Sequence, residues 1–174
     1  EVPDERLAVL SKMSGSAKII PTVIEFVDIA GLVKGAAEGQ GLGNKFLANI
    51  RETDAIAQVV RAFDDSNILH VDGSVNPVRD AETINTELAL ADLDVLAKRA
   101  SNIEKQMKSG KTKELEAEFA IIQKAIASLN NNVMLRDVEW TEDELAAIRL
   151  TQPLTLKPML YVLNVSESQL ADNS

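Results

Sequence analysis

Two residues whose spacing could support metal and phosphate chemistry are Asp28 and Gly31, which form a D-x-x-G pattern. An apolar, β-branched run from Ile19 to Ala30 surrounds the acid and predicts a buried strand that ends beside it. A carboxylate at the end of a strand is suited to hold a water molecule of a Mg²⁺ shell, because Mg²⁺ keeps several of its waters. Glycine lets a backbone N–H approach a phosphate closely. The alternative is a strand-ending turn in which Asp28 caps the next segment.

A loop with glycines at positions 35, 39, 41 and 43 follows this pattern. Its G-x-G-x-G spacing differs from the dinucleotide-binding fingerprint G-x-G-x-x-G, and the Walker A sequence G-x-x-x-x-G-K-[ST] does not occur in the 174 residues. The loop is interpreted as a mobile lid, which is also the character of a nucleotide-dependent switch loop.

A second pair of polar residues, Asn164 and Glu167, lies in the sequence N-V-S-E after the apolar run Pro158 to Val165. That run predicts another buried strand. An amide and a carboxylate three residues apart, beyond the end of a strand, can read the hydrogen-bonding edge of a nucleotide base. Taken alone, N-x-x-E is a short pattern that arises easily by chance.

The elements that must position these residues follow from hydrophobic periodicity. Helices are predicted at 3–13 and 42–52 and a strand at 54–63, so that the two strands flanking the second helix form a βαβ unit. His70, the single histidine, lies beside a short apolar run and is interpreted as a packed or edge residue rather than a catalytic base.

Two longer segments carry a different pattern. Apolar residues recur at spacings of 4, 3, 4, 3 and 4 from Ala89 to Met107 and again from Leu115 to Val133, on either side of Ser109-Gly110. This repeat predicts an antiparallel coiled-coil hairpin inserted between two strands of one sheet. A T-x-x-E capping box that begins at Thr141 predicts a further short helix. The predicted class is α/β, interrupted by an α-helical hairpin.

Composition narrows the class of protein. The chain has a formal charge of −9, no cysteine and no apolar run that approaches the roughly 20 residues of a membrane span. With no apparent signal peptide, we expect a cytoplasmic protein that does not enter membranes. One segment departs from the acidic average, because six of its residues are basic and only Glu104 is acidic: Lys98, Arg99, Lys105, Lys108, Lys111 and Lys113. This segment is either a solvated hairpin tip or a contact for an anion or RNA.

Five blocks of sequence together closely resemble the Obg-like ATPase family, also called YchF, of the Obg-related P-loop GTPases. The blocks are D-I-A-G-L-V-K-G-A, G-Q-G-L-G-N-K-F-L-A-N-I-R-E-T-D, I-N-T-E-L-A-L-A-D-L-D, L-T-L-K-P-M-L-Y and N-V-S-E. The resemblance implies a GTPase-like sheet with an inserted coiled coil. It also implies a monomeric, ribosome- or RNA-associated switch that hydrolyses ATP slowly and prefers ATP to GTP.

The resemblance also implies a role for individual residues. Asp28 would hold Mg²⁺ through water, and Gly31 would contact the γ-phosphate. Asn164, the backbone of Val165 and Glu167 would contact the base, with Val165 and Glu167 in place of the lysine and aspartate of the N-K-x-D motif of GTPases. Leu32 occupies the position of the water-orienting glutamine of Ras-like enzymes, so no catalytic side chain is assigned and slow hydrolysis is expected.

The family's P-loop and first switch would precede Glu1, and its TGS domain would follow Ser174. We therefore expect the 174 residues alone to bind ATP weakly and to be inactive. The predicted organisation is a partial nucleotide-binding domain at 1–78, a helical domain at 79–152 and a return to the first domain at 153–174. Two alternatives remain, namely a true GTPase of the Obg group and a non-catalytic module that works through its coiled coil.

Overall fold

The computed structural model describes residues 1–29, 42–65 and 74–171, without the side chains of 42–45 and 171. The chain divides into two compact units, Glu1–Ala30 and Gly31–Ser174. Several predictions fall outside the described residues: those on Gly31, Leu32 and His70, and those on the glycine loop up to position 41.

The first unit begins with helix α1, Arg6–Ser14, which starts three residues later than predicted. Asp4 precedes the helix, where its carboxylate accepts a hydrogen bond of 3.0 Å from the Arg6 N–H and pairs with the Arg6 guanidinium at 2.6 Å. Gly15 ends the helix in the left-handed conformation, with a φ of 62°, and its N–H donates to the Ser11 carbonyl. Glycine adopts this conformation without steric cost, which makes it the common residue after a helix.

The predicted buried strand at Ile19 to Ala30 is wrong over the residues that the structure describes. Residues 18–29 form no strand, and most of their apolar side chains are exposed, up to 84% for Phe26. One backbone hydrogen bond, from Val2 N–H to the Thr22 carbonyl at 2.7 Å, ties the segment to the start of the chain. A strand needs a neighbour along its whole ladder. Both strands that the structure describes belong to the second unit and pair with each other, so apolar composition alone was not sufficient to predict a strand here.

The second unit contains a parallel pair of strands. Helix α2, Leu42–Arg51, leads into strand β1, Ile56–Arg61, and strand β2, Met159–Asn164, pairs with β1 along its full length. The register runs from Ile56 opposite Met159 to Arg61 opposite Asn164. The predictions of α2, β1 and β2 are therefore confirmed. The strands on either side of the long helical segment lie in one sheet.

The prediction that β2 is buried is wrong for the described part of the chain. Leu160 is 64% exposed and Leu163 58%, whereas Val60 of β1 is 3% exposed. Helix α3, Pro77–Ser109, contacts β1, and β1 is the one described strand beside β2. An apolar run indicates that its side chains are suited to burial, but it does not specify which element packs over them.

Two helices joined by residues 110–112 form a hairpin that we call the helical hairpin, α3 and α4, Lys113–Asn130. Asn76 caps α3 by accepting from the Arg79 N–H, with Pro77 in the first turn, and Thr112 caps α4 by accepting from the Leu115 N–H. None of the described helices is long and apolar enough to cross a membrane. The buried core between the helices includes five residues of the predicted seams, Leu96, Ala100, Ile103, Ile122 and Leu129, together with Ala125, which was not predicted. Val133, the last residue of the second predicted seam, lies beyond α4 and is exposed.

Helix α5, Glu142–Arg149, packs against α4 at the end of the helical hairpin that lies away from its tip. The predicted capping box is confirmed, because Thr141 accepts from the Glu144 N–H at 3.2 Å and Glu144 accepts from the Thr141 N–H at 2.9 Å. Lys124 of α4 joins the cluster: its ammonium donates to the Glu144 carboxylate at 2.9 Å and lies 4.6 Å from the centre of the Trp140 ring. Trp140, the single tryptophan of the chain, therefore reports on the packing of α5 against α4.

A buried carboxylate joins the hairpin to the start of β2. Asp92 of α3 is 2% exposed and accepts hydrogen bonds from the Leu154 N–H at 2.8 Å, the Thr155 N–H at 2.8 Å and the Thr155 hydroxyl at 2.7 Å. These donors lie in a 3₁₀ helix, Leu154–Leu156, just before the strand. Burial raises the pKa of Asp92, and the hydrogen bonds from Thr155 and Leu154 oppose that rise. The contacts set where the chain leaves the helical segment and re-enters the sheet.

Lys157 makes a second connection at the same junction. Its ammonium donates to the carbonyl of Arg51, at 3.1 Å, and to the carbonyl of Thr53. Arg51 is the last residue of α2, where unpaired carbonyls and the helix dipole favour a positive charge. The C-terminal end of α2 is thereby held against Lys157, which lies two residues before β2.

We expect Asp92→Ala to lower the free energy of unfolding by about 2–4 kcal/mol, because three buried donors lose their acceptor. Asp94→Ala is the matched control, since Asp94 is exposed and pairs only with Lys98 within the described residues. Its loss should stay below about 1 kcal/mol. Urea unfolding followed by Trp140 fluorescence measures both. Equal losses in the two variants would contradict a structural role for the buried carboxylate.

The hydrogen bonds of Glu144 with Thr141 and Lys124 should make the free energy of unfolding depend on pH. The Thr141 N–H and then Lys124 lower the pKa of Glu144. The stabilisation is therefore present above the ordinary pKa of a glutamate and is lost as pH falls through the lowered value. Between about pH 6 and about pH 3, the native chain should lose more stability than Glu144→Gln, which keeps an acceptor for Thr141 but does not titrate. Parallel pH profiles from urea unfolding would refute this coupling.

Candidate functional site

The carboxyl ends of β1 and β2 lie side by side, because the strands are parallel and in register. Arg61 is opposite Asn164, and the next residue, Ala62, donates its N–H to the Asn164 carbonyl at 2.8 Å. In open α/β sheets, ligands bind beyond the carboxyl ends of the strands. The sequence N-V-S-E begins at this edge.

The turn after β2, which we call the base turn, comprises residues 164–167 and leads into helix α6, Glu167–Ala171. Asn164 and Glu167 have exposed side chains, and Val165 is half-buried. The amide of Asn164 offers two donors and an acceptor, and a carboxylate at Glu167 accepts from amino groups. The predicted pair is thus brought to one short turn with both polar groups accessible.

Residues 62–65, which follow β1, lie beside the base turn at the sheet edge. Contacts of the Arg61 side chain hold them in place. Arg61 donates from Nε to the Phe63 carbonyl at 2.9 Å and from its guanidinium to the Asp65 carbonyl at 3.2 Å. The same guanidinium lies 4.7 Å from the centre of the Phe63 ring. These contacts fold residues 62–65 back over Arg61 and define the second side of the edge.

Asp28 lies in the first unit, in irregular chain with an exposed side chain. It does not follow a strand, so the geometric argument that first placed it at a strand's end no longer applies. No group of three or more candidate metal ligands occurs within the ranges that the structure describes. A Mg²⁺ ion that shares phosphate oxygens and waters needs few direct protein ligands, so Asp28 remains chemically suited to hold it through water.

The basic segment occupies the tip of the helical hairpin. Lys98 pairs with Asp94 at 2.6 Å, and Arg99 donates to Glu118 at 2.6 Å, so these two cations are partly neutralised. Lys111 lies 3.7 Å from Glu116. Lys105, Lys108 and Lys113 are exposed. The positive charge that remains for a partner is therefore concentrated at the end of the hairpin.

Sequence reasoning missed one residue of the sheet edge, Gln169. Its side chain accepts from the Ser166 N–H at 2.8 Å and donates to the Ala62 carbonyl at 2.9 Å. The first contact was readable as a capping pattern, S-x-x-Q, from Ser166 to Gln169. The second joins residues 107 positions apart and depends on the pairing of the two strands.

Comparison with known proteins bears on the whole chain. Residues 10–92 match the family described as 50S ribosome-binding GTPase. The chain is 50% identical over 172 residues to the ribosome-binding ATPase YchF of Escherichia coli O157:H7, and 49% identical over 174 residues to that of Bacillus subtilis strain 168. These matches cover 99% and 100% of the chain. The resemblance to the YchF family is confirmed.

A solved structure, of the Schizosaccharomyces pombe YchF GTPase, supports the same fold with a TM-score of 0.76 and 40% identity over 97% of the chain. The second unit and its parallel strands therefore belong to a P-loop GTPase-like fold. The chain spans 47% of the length of the two bacterial YchF relatives and 46% of the yeast YchF chain. The names of these relatives differ in the nucleotide they imply, ATP for the bacterial proteins and GTP for the yeast protein.

Proposed function

We propose that this chain is part of a ribosome-associated nucleotide hydrolase that acts in the cytoplasm and prefers ATP to GTP. The observation that carries the proposal is the base turn at the paired ends of β1 and β2, in a chain about half identical to ribosome-binding ATPases over its whole length. The activity belongs to the full-length gene product. The 174 residues supply the base-binding edge and the helical hairpin.

The base turn suits adenine at least as well as guanine. A guanine-specific site uses a carboxylate to accept from the ring N–H and the exocyclic amine, and a lysine beside it in the sequence supports the site. Here Val165 replaces that lysine, and Glu167 carries its carboxylate one methylene further from the backbone. Asn164 and the backbone of Val165 are the groups that we assign to the base.

From the resemblance to the YchF family, we assign Asp28 to Mg²⁺ through a water molecule and Gly31 to the γ-phosphate. A Mg²⁺ ion held there through water would neutralise the charge that develops on the phosphates. Leu32 follows Gly31 and offers neither a donor nor an acceptor to an attacking water. Slow intrinsic hydrolysis is therefore the expected behaviour, and no catalytic side chain is assigned within the 174 residues.

We further propose that the helical hairpin is a coiled coil inserted into the nucleotide-binding domain, with boundaries near 79 and 152. The seams at spacings of 3 and 4 and the short link between α3 and α4 support this arrangement. In a monomer, such a hairpin presents its tip well away from the sheet. Its exposed lysines suit the phosphates of ribosomal RNA.

Nucleotide preference is tested in the full-length gene product by calorimetry with ATP and GTP. We expect the unaltered protein to bind ATP more tightly. The double variant Val165→Lys, Glu167→Asp should shift the ratio toward GTP by about tenfold or more, because the lysine and the shorter aspartate side chain recreate the N-K-x-D motif that accepts from guanine. Leu170→Ala, at an exposed position of α6, is the control. The 174-residue chain, measured alongside, should bind ATP more weakly than micromolar.

A tighter affinity for GTP in the unaltered protein would instead establish a true GTPase. Micromolar ATP affinity in the 174-residue chain would contradict the expectation that these residues alone bind ATP weakly.

The role of the hairpin tip is tested by reversing the charges of Lys105, Lys108 and Lys111 to glutamate. We expect co-sedimentation with purified ribosomes to be abolished at physiological salt, since phosphate contacts dominate such binding. Lys12→Glu, Lys18→Glu and Arg149→Glu, at three exposed positions outside the hairpin tip, together make the same change in net charge and serve as the control.

Asp28→Ala separates this role from nucleotide chemistry, because it should leave a tip-mediated contact intact. Unchanged sedimentation of the charge-reversal variant would make the tip a solvated surface. Loss of ribosome binding together with full retention of ATP hydrolysis would assign the hairpin to partner binding alone.

A further inference from the structure

Gln169 links the two sides of the sheet edge through a single side chain. Its Oε1 accepts from the Ser166 N–H at 2.8 Å and from the Ser166 hydroxyl at 3.0 Å. Its Nε2 donates to the Ala62 carbonyl at 2.9 Å. One end of the amide therefore caps α6 immediately after the base turn, and the other end is attached to the residue that follows β1.

These contacts close a ring of hydrogen bonds around the base turn. Ala62 donates its N–H to the Asn164 carbonyl at 2.8 Å, and its own carbonyl receives the amide of Gln169. The base turn is thus anchored at its first residue by the sheet ladder and at its third residue by Gln169. Residues held between two anchors a few positions apart lose little further conformational freedom when a ligand binds.

The polarity of the ring requires an amide at position 169. The backbone N–H of Ser166 can only donate and the carbonyl of Ala62 can only accept, so the side chain between them must offer one acceptor and one donor. Glutamine does both. A glutamate would keep the acceptor for Ser166 but would set a negative charge against the Ala62 carbonyl. Alanine would keep neither contact.

We propose that Gln169 is a positioning residue for base recognition: by clamping the base turn to the end of β1, it presets Asn164 and Glu167 for the nucleotide base. This inference rests on the proposed nucleotide-binding function. Gln169 acts through the base turn and needs no contact with the nucleotide itself. Because the base is remote from the reacting phosphate, loss of the clamp weakens nucleotide binding without slowing the chemical step.

The clamp is first tested without nucleotide, by amide hydrogen exchange in the 174-residue chain. Gln169→Ala should accelerate exchange across residues 164–167, because the hydrogen bonds of the Gln169 side chain to Ser166 and to Ala62 are both lost. Gln169→Glu should keep the Ser166 N–H protected, since it retains the acceptor. Leu170→Ala, an exposed neighbour in α6, is the control and should leave exchange unchanged. Exchange in Gln169→Ala equal to that in the native chain would overturn the clamp.

The functional part is tested by ATP binding and turnover in the full-length gene product. Both Gln169→Ala and Gln169→Glu should raise KM for ATP about threefold to tenfold at unchanged kcat, the effect of losing one or two net hydrogen bonds. Native KM in Gln169→Glu would overturn the role of the link to Ala62. A fall in kcat at native KM would overturn positioning of the base.

The two proposals fail in different ways. If the unaltered full-length protein binds neither ATP nor GTP, the proposed function is wrong, whereas the exchange experiment still decides whether Gln169 holds the turn. If the protein binds ATP and both Gln169 variants match it in KM, the proposed function stands and the positioning role is overturned.

Discussion

The parallel pairing of β1 with β2 is the constraint on which the second unit depends. The whole helical segment separates strands β1 and β2 in the sequence, so their register is set by contacts that are remote in sequence. The helical hairpin must leave the sheet and return to it at the correct residue. Asp92 and Lys157 hold that point of return. Asp92 accepts from the N–H groups of Leu154 and Thr155 just before β2, and Lys157, two residues before β2, donates to backbone carbonyls at the end of α2. A shift of one residue there would turn every β2 side chain to the opposite face.

The two ends of β2 serve different purposes. At its start, buried and half-buried charges join α2, α3 and the strand into one packed junction. At its end, the polar groups are exposed, and hydrogen bonds among backbone, Ser166 and Gln169 shape a turn without burying it. A strand held at one end and open at the other is suited to ligand binding, since the scaffold is rigid where it meets the core and accessible where recognition occurs.

Helical segments were predictable because their information is local. The seam spacing and the cap at Thr141 follow from residues within a turn or two of each other. The caps at Asn76 and Thr112 are equally local but were not predicted, and the second predicted seam ran past the end of α4 at Asn130. The structure and burial of the apolar runs at Ile19 to Ala30 and at β2 were harder to predict. Their composition indicates a strand in a covered sheet, but strand formation and burial depend on neighbours that lie elsewhere in the chain or beyond the described residues.

The sequence by itself determined the family, the helices of the hairpin and the residue types of the base turn, because motifs and periodicity are properties of short stretches of chain. Only the tertiary structure decided that Asn164 meets the end of β1, that Asp92 and Lys157 hold the junction, and that Gln169 reaches Ala62. Those contacts join residues far apart in sequence, and no local pattern encodes which distant partner a polar group will find. Asp28 illustrates the limit, since its residue type suits Mg²⁺ while its place at the end of a strand did not follow from the apolar run before it.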